Sequence, residues 1–161
     1  MQSPQGAKLS FDFGFVIPLQ AEARPLLDTL KNRKHRDGSR TIYTGLFHNK
    51  KVSLIISGCG KIKSASATQY LIDGYPARTY IHYGTAGALS DKLNIGDIVI
   101  ATQVIEHDVV ELFPKKVPPP VHKIFTERLK RQLKGFHGSP LVWGSILSGD
   151  EDIITAKRKK M

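Results

Sequence analysis

The apolar positions of the chain switch between two periods. Residues 11–17 form a nearly unbroken run of aromatic and β-branched side chains, the pattern of a buried strand, and Pro18 ends it. A helical pattern follows, with Leu26, Leu27 and Leu30 on one face. The polar, basic segment over residues 32–39 predicts a turn or loop, and residues 41–47 and 52–57 predict a hairpin closed around His48-Asn49-Lys50. Ser57-Gly58-Cys59-Gly60 marks a strand-to-helix turn, after which Ala65, Ala67, Leu71 and Ile72 recur at helical spacing within residues 62–75. Residues 80–83 predict a short strand closed by Gly84-Thr85-Ala86-Gly87-Ala88. Gly96-Asp97 then opens a β-rich stretch over 98–110, broken by polar residues after Ile105.

Val117-Pro118-Pro119-Pro120 is a stiff connector, because proline fixes φ and restrains the residue before it. Residues 121–134 carry Ile124, Phe125, Leu129 and Leu133 among basic positions, an amphipathic surface helix, and residues 141–147 predict a final strand. Strands alternating with helices predict an α/β fold with a mixed, largely parallel central sheet covered by helices on both faces. No repeat and no long linker interrupts the pattern, so a single domain over residues 11–161 is expected, preceded by a flexible segment over 1–10.

Composition narrows the function. At 161 residues with 40% apolar and 24% charged side chains, the chain is an ordinary globular protein able to bury about 70% of its unfolded surface. Its formal charge of +10 raises nucleic acid, anionic lipid and phosphorylated substrates as partners. Much of the excess lies in residues 31–40 and 157–160, where no aromatic side chains interleave with the charges, so nucleic-acid binding is not expected. Cys59 is the only cysteine, which excludes an intrachain disulfide and fits a reducing compartment. Residues 1–10 lack the apolar core of a secretory signal and no apolar run nears the ~20 residues of a membrane span, so a cytoplasmic protein away from the membrane is expected.

Candidate chemistry collects where polar or glycine residues end a strand, the place at which open α/β sheets bind ligands. These segments are Ile17-Pro18-Leu19-Gln20-Ala21-Glu22, Ser57-Gly58-Cys59-Gly60-Lys61, Gly84-Thr85-Ala86-Gly87-Ala88 and Leu147-Ser148-Gly149-Asp150. In this order, and with Leu93-Asn94-Ile95-Gly96-Asp97-Ile98-Val99 between the last two, they resemble the nucleoside phosphorylase/nucleosidase superfamily on its methylthioadenosine/S-adenosylhomocysteine nucleosidase side. The resemblance covers roughly residues 13–154.

The resemblance implies a three-layer phosphorylase-like fold that hydrolyses the N-glycosidic bond of a purine nucleoside without cofactor or metal, in nucleoside catabolism and methionine salvage. It makes Glu22 the general base that deprotonates the attacking water, although a glutamate in a first helical turn also serves simply to complement the helix dipole. Thr85, Ala86 and Gly87 would line the ribose, where glycine lets the backbone approach closely. The 57–61 turn has the glycines of an anion site before a helix, but the resemblance gives it chiefly a packing role. Asp152 stands where the family tends to carry a base-stacking phenylalanine, and Ile153 would present its backbone to the purine.

The same resemblance separates hydrolysis from phosphorolysis. Phosphorylases carry an arginine two places before the Gly-Thr glycine, and this chain has His82, leaving Arg24 as the compensating cation of a phosphate-dependent alternative. His107-Asp108 resembles a family pair. As neighbours on a strand they would face opposite ways and not chelate one metal, so a structural or interface histidine is expected. No Gly-x-Ser-x-Gly elbow supports a serine hydrolase. Family members continue beyond this pattern with a ribose clamp and an acid for the purine, so the fold is expected to be incomplete at its C-terminus. A catalytically inactive nucleoside-binding module is therefore a further alternative. A homo-oligomer, a dimer with Phe113 at its interface, is the remaining expectation.

Overall fold

The computed structural model describes residues 10–36, 38–110 and 123–150. The chain divides into two compact units, Met1–Ala86 and Gly87–Met161, each with its own sheet. The proline connector, Phe113, Asp152 and Ile153 lie outside the described residues.

In the first unit the strands are β1 (Phe11–Ile17), β2 (Lys31–Arg36), β3 (Ile42–Phe47), β4 (Lys50–Ile56) and β5 (Ala77–His82), in sheet order β2-β3-β4-β1-β5. β1 runs parallel to both β4 and β5, whereas β3 pairs antiparallel with β4 and with β2, so the sheet is mixed. The 42–56 hairpin turns through His48 and Asn49, both at positive φ (44° and 62°). Asparagine accepts that left-handed region more readily than most residues.

Two helices cover opposite faces of this sheet, and the two-residue period of the strands decides which side chains meet which helix. Helix α1 (Gln20–Thr29) buries Ala23 and Leu27 against Ile17, Val52 and Leu54, with Phe13 and Phe15 packed alongside. Helix α2 (Lys61–Gly74) buries Ala67 and Leu71 against Val16, Ile42 and Ile55. Adjacent residues of β1 thus feed different layers, Val16 one core and Ile17 the other. Close fit extends to Gly14, where an added Cβ would lie 2.6 Å from the Tyr80 ring and 3.1 Å from Leu71.

Two expectations need correction here. Residues 31–36 are a strand and not a loop: β2 is exposed along its whole length and owes its conformation to backbone pairing with β3, from His35 opposite Tyr43 to Arg36 opposite Ile42. A strand that buries no side chain carries no hydrophobic period to read. On α2, Ala65 and Ile72 point to solvent, Ile72 at 40% exposure, because the short contact with the sheet needs only Ala67 and Leu71.

The second unit pairs β6 (Ile98–Glu106) in parallel with β7 (Leu141–Ser148), from Ile98 opposite Leu141 to Glu106 opposite Ser148, with a register shift between Ala101 and Gln103. Helix α4 (Lys123–Gln132) precedes β7 in sequence. The segment entering β6 is a tight turn in which the Asn94 N–H donates to Asp97 Oδ2 at 2.9 Å and Gly96 takes φ 96°. His107 and Asp108 do not continue the strand; they open a helical turn, α3 (His107–Val110). They therefore do not face opposite sides of a strand as expected. The Asp150 N–H donates to Asp108 Oδ2 at 3.2 Å, and a Cβ on Gly149 would run into the His107 imidazole. The pair is packed on the 148–150 turn.

Candidate active site

Parallel pairing brings the carboxyl ends of β4, β1 and β5 to one edge of the first unit. The Ser57 N–H donates to the Ile17 carbonyl at 2.9 Å and the Gly58 N–H to the Pro18 carbonyl at 3.0 Å, so the turn after β4 is fastened to the turn after β1. On the other side the Tyr83 N–H donates to the Val16 carbonyl at 3.2 Å, which fastens the turn after β5. These bonds engage the Ser57 and Gly58 donors in joining the two turns. Gly58 and Gly60 take φ 76° and 107° to make the bend into α2.

Glu22 stands in the first turn of α1, over the strand ends. The cap residue, Leu19, has no side-chain acceptor, so only half of a capping box can form: its backbone N–H donates to Glu22 Oε2 at 3.1 Å. The other oxygen is held from β5. Thr85 donates to Glu22 Oε1 twice, through its backbone N–H at 2.8 Å and its hydroxyl at 2.6 Å. A Cβ on Gly84 would lie 3.3 Å from Pro18 and 3.4 Å from both carboxylate oxygens, so the absent side chain leaves the carboxylate its place.

The electrostatics follow from this shell. Partial burial pushes the Glu22 carboxyl up, but the Thr85 hydroxyl, the Thr85 and Leu19 N–H groups and the charge of His82 together outweigh it and hold the carboxyl below its ordinary 4.5. Glu22 is ionised at neutral pH. A carboxylate has about four acceptor sites on its two oxygens. The bonds from Thr85 and Leu19 fill three, leaving one on Oε2 for a water or a substrate hydroxyl.

Of the predicted site residues, the structure brings Glu22 and Thr85 into contact across 63 positions of sequence. Ala86 closes the first unit on the exposed turn after Thr85, and Gly87 begins the second. Sequence reasoning missed Leu19, whose contribution is a backbone N–H, and took His82 only as the lack of an arginine. The parallel register that sets Val16 beside His82 carries the signal for the second: residues just past both strand ends must meet. Arg24 is exposed on α1. Among the described residues no three His, Cys, Asp or Glu side chains gather as a metal site, and no helix is long and apolar enough to cross a membrane.

Comparison with known proteins identifies the family. The 5′-methylthioadenosine/S-adenosylhomocysteine nucleosidase of Buchnera aphidicola subsp. Baizongia pistaciae is 37% identical over 103 residues, 63% of this chain and 41% of that protein. That of Bacillus pumilus is 38% identical over 92 residues, 56% of this chain and 40% of that protein. The chain thus spans less than half the length of these curated relatives. Among solved structures, the Neisseria meningitidis nucleosidase in complex with methylthio-immucillin-A superposes with a TM-score of 0.80 at 27% identity, covering 92% of this chain and 69% of that one. The Streptococcus pyogenes S-adenosylhomocysteine nucleosidase in complex with 5-methylthiotubericidin gives the same score and identity over 96% and 70%. The family profile described as the phosphorylase superfamily matches residues 12–154, nearly the whole of the pattern traced above, and the chain belongs to that superfamily.

Proposed function

We propose that this protein hydrolyses the N-glycosidic bond of a purine nucleoside of the methylthioadenosine/S-adenosylhomocysteine type, with Glu22 as the base that receives the proton of the attacking water. The observation that carries the proposal is the Glu22 carboxylate, ionised, held by Thr85 and Leu19, and left with one open acceptor position. The names of the relatives supply the substrate class.

A carboxylate with a lowered pKa is a weak base toward free water, which matters for the order of events. As the bond from the anomeric carbon to the purine nitrogen breaks, its electron pair leaves with the purine, which takes up a proton from solvent, and the ribose becomes cation-like. A fixed carboxylate stabilises that developing charge at once. Water then donates a lone pair to the anomeric carbon, becomes strongly acidic as it does so, and passes its proton to Glu22 Oε2. Weak basicity is sufficient for that late transfer. Thr85, Ala86 and Gly87 are proposed to line the ribose, with the Thr85 hydroxyl committed to Glu22 and so positioning the base.

The test is release of purine from methylthioadenosine, adenosine and inosine, with and without inorganic phosphate, beside Glu22→Gln. Phosphate-independent release that falls by about 10²–10⁴ in the variant is the expected result. Release only with phosphate would replace hydrolysis by phosphorolysis, and nucleoside binding without turnover would reduce the protein to a binding module.

A further inference from the structure

The basic strand β2 has no part in the site above, and it lies at the opposite edge of the sheet, beyond β3 and β4. Between β2 and the C-terminal end of α2 lies an open cleft of about 240 Å³. Thr44 and the buried Ile42 of β3 form its floor, Lys34, His35 and Arg36 of β2 one wall, and Tyr75, the residue that caps α2, the other. Antiparallel register sets Lys34 opposite Thr44 and Arg36 opposite Ile42, so both cations rise from the same face as that floor, two residues apart along one strand.

Three neighbouring basic groups are engaged elsewhere. Arg33 donates to the Leu27 carbonyl at 3.1 Å, Arg40 lies over the Tyr70 ring and bonds Ser66, and His35 stacks on Tyr43 at 4.5 Å on the opposite face. Lys34 and Arg36 have no hydrogen-bonding or carboxylate partner among the described residues, and neither does the Thr44 hydroxyl. The carbonyl end of α2 contributes about half an elementary negative charge to the cleft. Two full cations exceed it.

We infer that this cleft binds a phosphate group carried by a small ligand, held by Lys34 and Arg36 with the Thr44 hydroxyl as a further donor. A guanidinium offers two parallel N–H donors to a tetrahedral oxyanion and an ammonium offers a mobile point charge, and together they match a dianion. The volume is below the 300–1,000 Å³ usual for sites that enclose a whole drug-sized ligand, so it fits the phosphate and not a complete nucleoside. This site is independent of the Glu22 chemistry.

Calorimetric titration with inorganic phosphate at constant ionic strength tests it, on the wild type, on Lys34→Ala/Arg36→Ala and on Glu22→Gln. Saturable binding that persists in Glu22→Gln and weakens at least about tenfold in the double variant is the expected result. Lys34 and Arg36 are exposed, and an unchanged circular dichroism melt of the double variant checks its fold; Lys34→Gln alone gives a milder second reading. Phosphate binding unaffected by the double substitution, or lost only with Glu22, overturns the inference. So does phosphate that fails to bind while a single-stranded oligonucleotide binds with steep salt dependence, since that marks an extended polyanion face.

Discussion

Thr85 grips one oxygen of Glu22 with two donors, its backbone N–H at 2.8 Å and its hydroxyl at 2.6 Å, and thereby ties the end of β5 to the first turn of α1. The two grips differ in what a substitution can remove. Thr85→Val keeps the shape and the backbone donor but loses the hydroxyl. A hydrogen bond to a charged group contributes about 1.5–3 kcal/mol when sheltered and less on an exposed turn such as this one. The expected outcome is a kcat lowered about tenfold with KM little changed. Steady-state kinetics on methylthioadenosine check it, and a variant with unaltered kcat would remove Thr85 from the positioning of the base.

The same bond sets the pH response. Glu22 has its folded pKa depressed below 4.5 by Thr85, Leu19 and His82 acting against burial, so its contribution to stability is present above the unfolded pKa and is lost as pH falls through the folded one. Urea midpoints measured from pH 6 down to pH 3 should therefore fall more steeply for the wild type than for Glu22→Gln, the two curves converging at the acid end. In Thr85→Val the acid limb of kcat/KM should move up toward 4.5, since one of the groups that favours the charged form is gone. An acid limb in the same place for both proteins would mean that another group governs it.

How much of this could be read from the sequence depends on what each element buries. β1, α1 and α2 announce themselves because Ile17, Leu27 and Leu71 must enter a core, and burial imposes a period. β2 buries nothing, and its Lys-Asn-Arg-Lys-His-Arg string is indistinguishable from a solvated loop until β3 offers it backbone partners. For the same reason the helical turn at His107 was invisible: its anchor is the Asp150 N–H, 42 residues away. Glu22 and the Gly-Thr turn were each legible as strand-end segments. Their contact was not, because it depends on β1 and β5 pairing in parallel, a tertiary fact with no local mark.

Packing between β1 and α2 yields a stability prediction separate from the site. A Cβ at Gly14 would stand 2.6 Å and 2.7 Å from two carbons of the Tyr80 ring, whose hydroxyl is itself fixed by the Ala77 N–H at 2.9 Å, and 3.1 Å from Leu71. The ring cannot retreat without breaking that bond. Gly14→Ala should cost about 1–3 kcal/mol of stability, the usual range for overpacking. A midpoint shift in urea at constant slope would show it, whereas wild-type stability would mean that β5 adjusts freely.

Gly149 tests the second unit in the same way, with a different consequence. Its missing side chain is the space taken by the His107 imidazole, and the neighbouring Asp150 N–H is held by Asp108 at 3.2 Å, so the turn after β7 rests on α3 at two points. Gly149→Ala must expel the imidazole. The end of a flexible side chain can rotate away at small cost, so overall stability should change by about 1 kcal/mol or less. The turn itself should loosen, because one of its two supports is withdrawn. Hydrogen exchange at the Asp150 amide should accelerate in Gly149→Ala and also in Asp108→Asn. The two substitutions together should exceed either alone by less than the product of their effects, since they act on one clamp. Independent, multiplicative acceleration would show that His107 and Asp108 hold the turn separately.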